Sequence, residues 1–180
     1  MTERIIIYGH TQFAAIIAEY MEREGTREVI GFTQHERFID KPNLYERPVL
    51  PFEQLAIDYP PAVFQLHVLA DFNHRYDLAH LQNTCIEAKE QGYSLYSFID
   101  QEAFVAESAI IGDNSCVMRG VQVEPFAHID GGVLLRSGAH IAPGARVGAW
   151  SRIGTRALVT DHAQVPAESN IPPGSIFREA

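Results

Sequence analysis

Residues 129–147 run Ile129-Asp130-Gly131-Gly132-Val133-Leu134-Leu135-Arg136-Ser137-Gly138-Ala139-His140-Ile141-Ala142-Pro143-Gly144-Ala145-Arg146-Val147. An aliphatic residue stands at every sixth place (Ile129, Leu135, Ile141, Val147), and a small or β-branched residue lies four places further on (Val133, Ala139, Ala145). Followed outward in both directions, the beat holds without a miss from Val105 to Phe177, through Ile111, Val117, Val123, Ile153, Val159, Val165 and Ile171. A period of six fits neither a helix at 3.6 nor a simple strand at 2. It is the mark of a hexapeptide β-helix, in which each repeat forms one flat side of a coil. Thirteen inward positions make about four triangular coils, stacked at the strand spacing of roughly 4.8 Å into a prism about 15–20 Å tall. Gly112, Gly148, Gly154, Pro166 and Pro172 directly follow inward residues and are expected at corners that need an unusual or fixed φ. The flat sides expose parallel sheet, which seldom stays bare, so a homotrimer is expected.

Upstream of the beat the pattern changes. Arg4-Ile5-Ile6-Ile7-Tyr8-Gly9 reads as a buried strand ending on glycine. Thr11 can cap a following helix whose apolar face takes in Phe13, Ile16, Ile17 and Tyr20,. Glu28 to Thr33 forms a second strand, residues 34–61 are loop-like with a short helix near Phe52–Ile57, and Val63 to Leu69 forms a third strand. A helix is expected from Arg75 to Glu90 and a fourth strand from Tyr93 to Ile99. Strands alternating with helices imply a small parallel, Rossmann-like α/β layer. The chain thus divides into residues 1–100 and 101–180. The first turn, Gly9-His10-Thr11-Gln12-Phe13-Ala14, keeps the first glycine of a dinucleotide fingerprint but has Thr11 where backbone must approach pyrophosphate,. The second strand ends in Thr33-Gln34 with no acid for a ribose, which argues against NAD. The helix start after Gly9 can still hold a phosphate of a nucleotide-sugar. His10, Asn73, His74 and Arg75 fall near the carboxyl ends of the first and third strands, the edge where such layers place ligands.

Composition narrows the remaining classes. A net charge of −9 speaks against nucleic acid, whose phosphates need clustered Lys and Arg. No apolar run reaches membrane-spanning length and no leader is visible,. With only Cys85 and Cys116 a disulfide framework is not expected, and a cytoplasmic home follows most simply. The eight histidines show no metal-ligand spacing,.

Several stretches together resemble the hexapeptide-repeat acyltransferases of nucleotide-linked and surface-polysaccharide sugars, the sialic-acid O-acetyltransferase and bacillosamine or perosamine N-acetyltransferase type. They are Ile5 to Gly9 with Phe13-Ala14, Gly31-Phe32-Thr33, Pro48 to Phe52, Asn73, Glu87 to Leu95, Ser97-Phe98-Ile99, Ile111 to Asn114, and His140-Ile141-Ala142-Pro143-Gly144-Ala145. The resemblance spans nearly the whole chain and implies a Rossmann-like domain followed by a left-handed β-helix. It further implies that acetyl-CoA lies in a groove between neighbouring β-helices while a histidine deprotonates a sugar amine or hydroxyl. Such a base must be oriented, often by a carboxylate. In the resembling proteins it sits two places after an inward aliphatic, followed by an acid. Here those places hold Gly131 and Gly132, so the usual base is missing. His140 matches the second histidine of the pattern, near the acetyl group, and is the closest substitute. His128 and His162 rank lower, as surface or trimer-packing histidines. Trp150 is expected to face outward at a subunit contact. The coils end at Pro172-Pro173-Gly174, sooner than in resembling proteins, which implies a shorter CoA groove. Two functions follow: an acetyl-CoA-dependent sugar acyltransferase with His140 as catalytic residue and Gly9, His10, Thr11 and Asn73 on the nucleotide-sugar, or a relative without transfer activity that binds a nucleotide-sugar or a partner protein.

Overall fold

In the computed structural model, which describes residues 2–69 and 78–179, two compact units divide the chain, residues 1–96 and 97–180. In the first, β1 (Glu3–Tyr8) is the second-from-edge strand of a five-stranded sheet ordered β3-β4-β2-β1-β5. Its partners β2 (Arg27–Gln34) and β5 (Phe64–Val68) run parallel to it, with Ile6 beside Leu66 and Ile7 beside Phe32. Residues 5–8 are fully buried, which is why this strand reads as an unbroken apolar run rather than an alternation.

Between β1 and β2, α1 (Gln12–Glu22) starts on a Thr11 cap, whose hydroxyl accepts from the Ala14 amide at 3.3 Å. The face it buries is Ala14, Ile17, Ala18 and Met21, whereas Ile16 is exposed. Small alanines let the helix approach the sheet closely, so the buried stripe is rotated from the one that the larger residues predict. The loop expected over 34–61 contains a hairpin of β3 (Asn43–Leu44) and β4 (Arg47–Pro51), and β4 joins the sheet parallel to β2. A short helix, α2 (Leu55–Asp58), follows. The helix expected from Arg75 is described from Leu78 as α3 (Leu78–Glu90). The expected fourth strand does not form: only a single bridge, Leu66 with Leu95, adds to this sheet. Phe98–Ile99 belongs instead to the coils, as β6.

Ile99 lies one beat before Val105, so the second unit begins one hexad earlier than the series suggests. Among the described residues it holds fourteen two-residue strands, from β6 to β19 (Ile176–Phe177), in three parallel sheets. The sheets form three faces. Phe98, Cys116, Leu134, Arg152 and Asn170 begin the strands of one; Phe104, Gln122, His140, Leu158 and Ile176 those of the second; Ile110, His128, Arg146 and Gln164 those of the third. This is the arrangement of a left-handed parallel β-helix. Each coil advances 18 residues, so His128 lies beside Arg146 and Ile129 beside Val147. The inward column from Val117 to Val165 is closed to solvent, each large aliphatic contributing about 1.5–3 kcal/mol on burial. The small residues at the corners are equally buried: Ala127, Ala139, Ala145 and Ala157 leave no room for more.

The corner backbone works differently from the expectation. From Ile111 to Ile171 the left-handed φ falls on the third residue after each inward position, at Asn114, Phe126, Gly132, Gly144, Trp150 and His162 among others. Gly112, Gly148 and Gly154 are not left-handed. They are glycines because the next coil passes so close: a Cβ on Gly148 would stand 2.5 Å from the Ala167 amide nitrogen. Here the constraint is space rather than torsion.

Candidate functional site

In the first unit Gly9, His10 and Thr11 form the turn from β1 into α1. Gly9 has φ +122, open only to glycine at no cost, and its amide donates to the Thr33 carbonyl at 2.9 Å. His10 is buried, with Nε2 3.0 Å from Asp40 Oδ1. Asn73, His74 and Arg75 lie outside the described residues. Beside this turn is a network that no sequence signal announces. The Tyr8 hydroxyl bonds His35 Nδ1 at 2.6 Å and His80 Nε2 at 2.8 Å, while His35 Nε2 meets Glu87 Oε2 at 3.1 Å. One consistent set of tautomers has His35 donating to Glu87 and accepting the Tyr8 proton, and His80 donating to the Tyr8 oxygen. Phe52 packs edge-on to Tyr8, with ring centres 5.4 Å apart. These residues come from strand ends and a helix far apart in sequence, so no spacing links them. A larger groove of about 740 Å³, between α1 and the β3–β4 hairpin, is lined by Ile16, Tyr20, Phe32, Tyr45 and Arg47. It contains none of the residues predicted to bind substrate.

In the coils the Gly131–Gly132 corner is crowded. A Cβ on Gly131 would stand 2.8 Å from Asp113 Oδ1, and one on Gly132 2.7 Å from Trp150 Cδ2. The Trp150 indole, half-buried, thus lies across Gly132 at the same corner of the preceding coil. His162 treats Gly144 in the same way, since a Cβ there would be 2.5 Å from its Nδ1. That packing lays the exposed His162 ring over the corner at Gly144.

Two histidines remain on open faces. His140 (at the start of β13, His140–Ile141) has Nε2 3.4 Å from Glu124 Oε1. His128 (at the start of β11, His128–Ile129) has Nε2 3.2 Å from Asp130 Oδ1. The second pair opens onto a cavity of about 400 Å³ lined by His128, Asp130, Arg146, Gly148, Gln164 and Pro166. Both carboxylates could have been found from the sequence: Asp130 from strand alternation alone, two places on from His128, and Glu124 from the 18-residue coil advance, two places past Gln122, the neighbour of His140 in the preceding coil. Among the described residues no three His, Cys, Asp or Glu side chains converge as a metal site, and no helix is long and apolar enough to cross a membrane. Burial pushes the Cys116 thiol up to about 12, so it is no nucleophile.

No family model matches the chain, and no curated protein matches it in sequence. Solved structures do. The acetyltransferase domain of PglB from Neisseria gonorrhoeae is 24% identical, with a TM-score of 0.69 over 98% of this chain and 92% of that one. The perosamine N-acetyltransferase PerB from Caulobacter crescentus, solved with CoA and GDP-perosamine, is 20% identical, with a TM-score of 0.74 over 99% and 90%. WeeI from Acinetobacter baumannii is 15% identical, with a TM-score of 0.56 over 97% and 96%. At such identities the likeness establishes architecture: along its whole length this chain has the fold on which the PglB acetyltransferase domain and the perosamine N-acetyltransferase are built.

Proposed function

We propose that the protein is an acetyl-CoA-dependent acyltransferase acting on an amine or hydroxyl of a nucleotide-linked sugar, in nucleotide-sugar or surface-polysaccharide metabolism in the cytoplasm. The observation that carries this reading is the end-to-end likeness to an enzyme solved with CoA and GDP-perosamine. It extends to the α/β unit as well as the coils. In this reading the first unit is the Rossmann-like nucleotide-sugar domain, holding its ligand at Gly9, His10, Thr11 and Asn73. The buried His10–Asp40 pair offers a fixed polar wall there, and the α1 N-terminus offers amides to a phosphate. His140 is the catalytic residue at the acetyl group, held by Glu124. The working assembly is a homotrimer, and exposed Phe104, Ile110, Phe126 and Ile176 supply the apolar surface for it.

Titration calorimetry with acetyl-CoA tests this. Saturable binding is expected, and no heat at millimolar ligand overturns the reading. His140→Ala should lower kcat by roughly 100-fold, the usual worth of a general acid–base group or a carbonyl-polarising donor. A kcat within about threefold of the parent removes His140 from the chemistry.

A second reading is favoured by one observation, the glycine corner under Trp150. A chain with neither histidine nor acid there would bind nucleotide-sugar or a partner protein without transfer. Binding of GDP-perosamine without any binding of acetyl-CoA would select it.

A further inference from the structure

We infer that the proton of the acceptor is taken by His128, positioned by Asp130, in place of the side chain that Gly131 lacks. This rests on the acyltransferase reading and assigns the base that the reading leaves open. His140 and Gly131 stand on different faces of the prism: His140 begins a strand of the second face, whereas Gly131 follows the third-face strand His128–Ile129. A base that substitutes for position 131 must therefore come from the third face or the corner it enters. His162 follows the second-face strand Leu158–Val159 and so turns a different corner, and the corner itself is filled by Trp150. His128 is the histidine that begins the strand leading into it.

The surroundings of His128 suit the task. Its Nε2 lies 3.2 Å from Asp130 Oδ1, close enough for the carboxylate to attract the ring and stabilise the imidazolium that forms when the proton is taken. Asp130 stands in a row of Gly112, Asp130, Gly148 and Pro166, each one coil apart. Neither glycine can be larger, because each meets the next coil's backbone. Asp130 is thus the one carboxylate of that row, with open space beside it. The cavity there, about 400 Å³, lies within the range of small-molecule sites. Arg146, adjacent to His128 on the next coil, presents a guanidinium to an anionic part of the acceptor or of CoA.

The step balances without a further reagent. The acceptor nitrogen or oxygen attacks the thioester carbonyl, forming the new C–N or C–O bond as its proton passes to the His128 imidazole. The C–S bond breaks, CoA leaves as thiolate, and the imidazolium returns its proton to the thiolate or to water.

The test measures thiol release from acetyl-CoA, with GDP-perosamine as amine acceptor and with water as minimal acceptor. Calorimetry on every variant reports CoA affinity and so folding. His128→Ala should lower kcat by roughly 100-fold with KM for acetyl-CoA unchanged. Free imidazole should restore part of that loss, which a merely structural role would not allow. Asp130→Asn should lower kcat by about 10-fold, again with KM unchanged. If His128→Ala keeps CoA affinity and a kcat within about threefold of the parent, the assignment fails while the acyltransferase reading stands. If the parent binds CoA yet releases thiol with neither acceptor, the assignment fails as well, since a poised base would activate water. Absence of CoA binding overturns the acyltransferase reading and takes this one with it.

Discussion

A methyl group on Gly132 would stand 2.7 Å from Trp150 Cδ2, at a residue whose φ is +71. Two separate constraints therefore fix glycine there. The left-handed torsion costs a non-glycine residue about 1–2 kcal/mol, and overpacking against the indole adds about 1–3 kcal/mol. Gly132→Ala should then destabilise the coils by roughly 2–5 kcal/mol, read from the urea midpoint. In a Trp150→Ala background only the torsional part remains, so the double-mutant cycle should show about 1–3 kcal/mol of coupling. Strict additivity would mean that the indole does not rest on the glycine. The same pair explains why a histidine–acid dipeptide cannot simply be written back into this corner. At position 131 the neighbours are the Asp113 carboxylate at 2.8 Å and its backbone carbonyl at 3.1 Å, and at 132 the neighbour is a packed ring. Read along the chain, Gly131-Gly132 says only that a base is missing. The ring 18 residues later shows that the space has another tenant.

At the scale of elements, β5 carries a titratable group inside the sheet. His67 is closed to solvent, with Nδ1 donating to the Tyr96 carbonyl at 2.8 Å, and burial pushes its pKa down to about 4. The unfolded chain binds a proton near pH 6.5 that the folded chain refuses until about pH 4. The contribution of this neutral histidine is whole above pH 6.5 and is lost as pH falls through that window, up to about 3 kcal/mol in all. Urea midpoints at pH 7.5 and pH 5 should therefore lie further apart in the parent than in His67→Gln; equal separations would show that His67 is protonated or solvated in the fold. Element by element, legibility followed how local the cause is. β1, β2 and β5 were readable because burial on both faces demands long apolar runs, and α1 because Thr11 caps it. The β3–β4 hairpin was not, because its turn puts Tyr45 and Glu46 at φ 46 and 66, where Asn-Gly is the usual signal. Tyr93 to Ile99 misled because its apolar residues serve both units: Tyr93 and Tyr96 pack in the first, while Phe98 and Ile99 start the coils.

The proposed trimer belongs to the whole molecule, and one corner gives it a test. The six-residue beat revealed the β-helix because the inward column is a one-dimensional property of the chain. It could not reveal assembly, which depends on what the coils present outward, whereas the histidine–carboxylate pairs follow once strand alternation and the 18-residue coil advance are known. Phe126 sits in left-handed backbone at φ 62 with 75% of its surface exposed. A bulky residue is disfavoured there, and in the isolated chain it gains little burial in return. Such a side chain persists when something outside the chain covers it, and exposed Phe104 and Ile110 flank the same edge one coil below. In the proposed homotrimer this edge is the contact. Asparagine tolerates the left-handed turn better than phenylalanine, so Phe126→Asn should leave each prism as stable as before, or more so, while weakening association. Analytical ultracentrifugation of the parent should give a trimer, and the variant should shift towards monomer on dilution with its circular dichroism unchanged. A parent that sediments as a monomer, or a variant that stays trimeric at the lowest concentration at which the parent does, would show that Phe126 is not at a subunit contact.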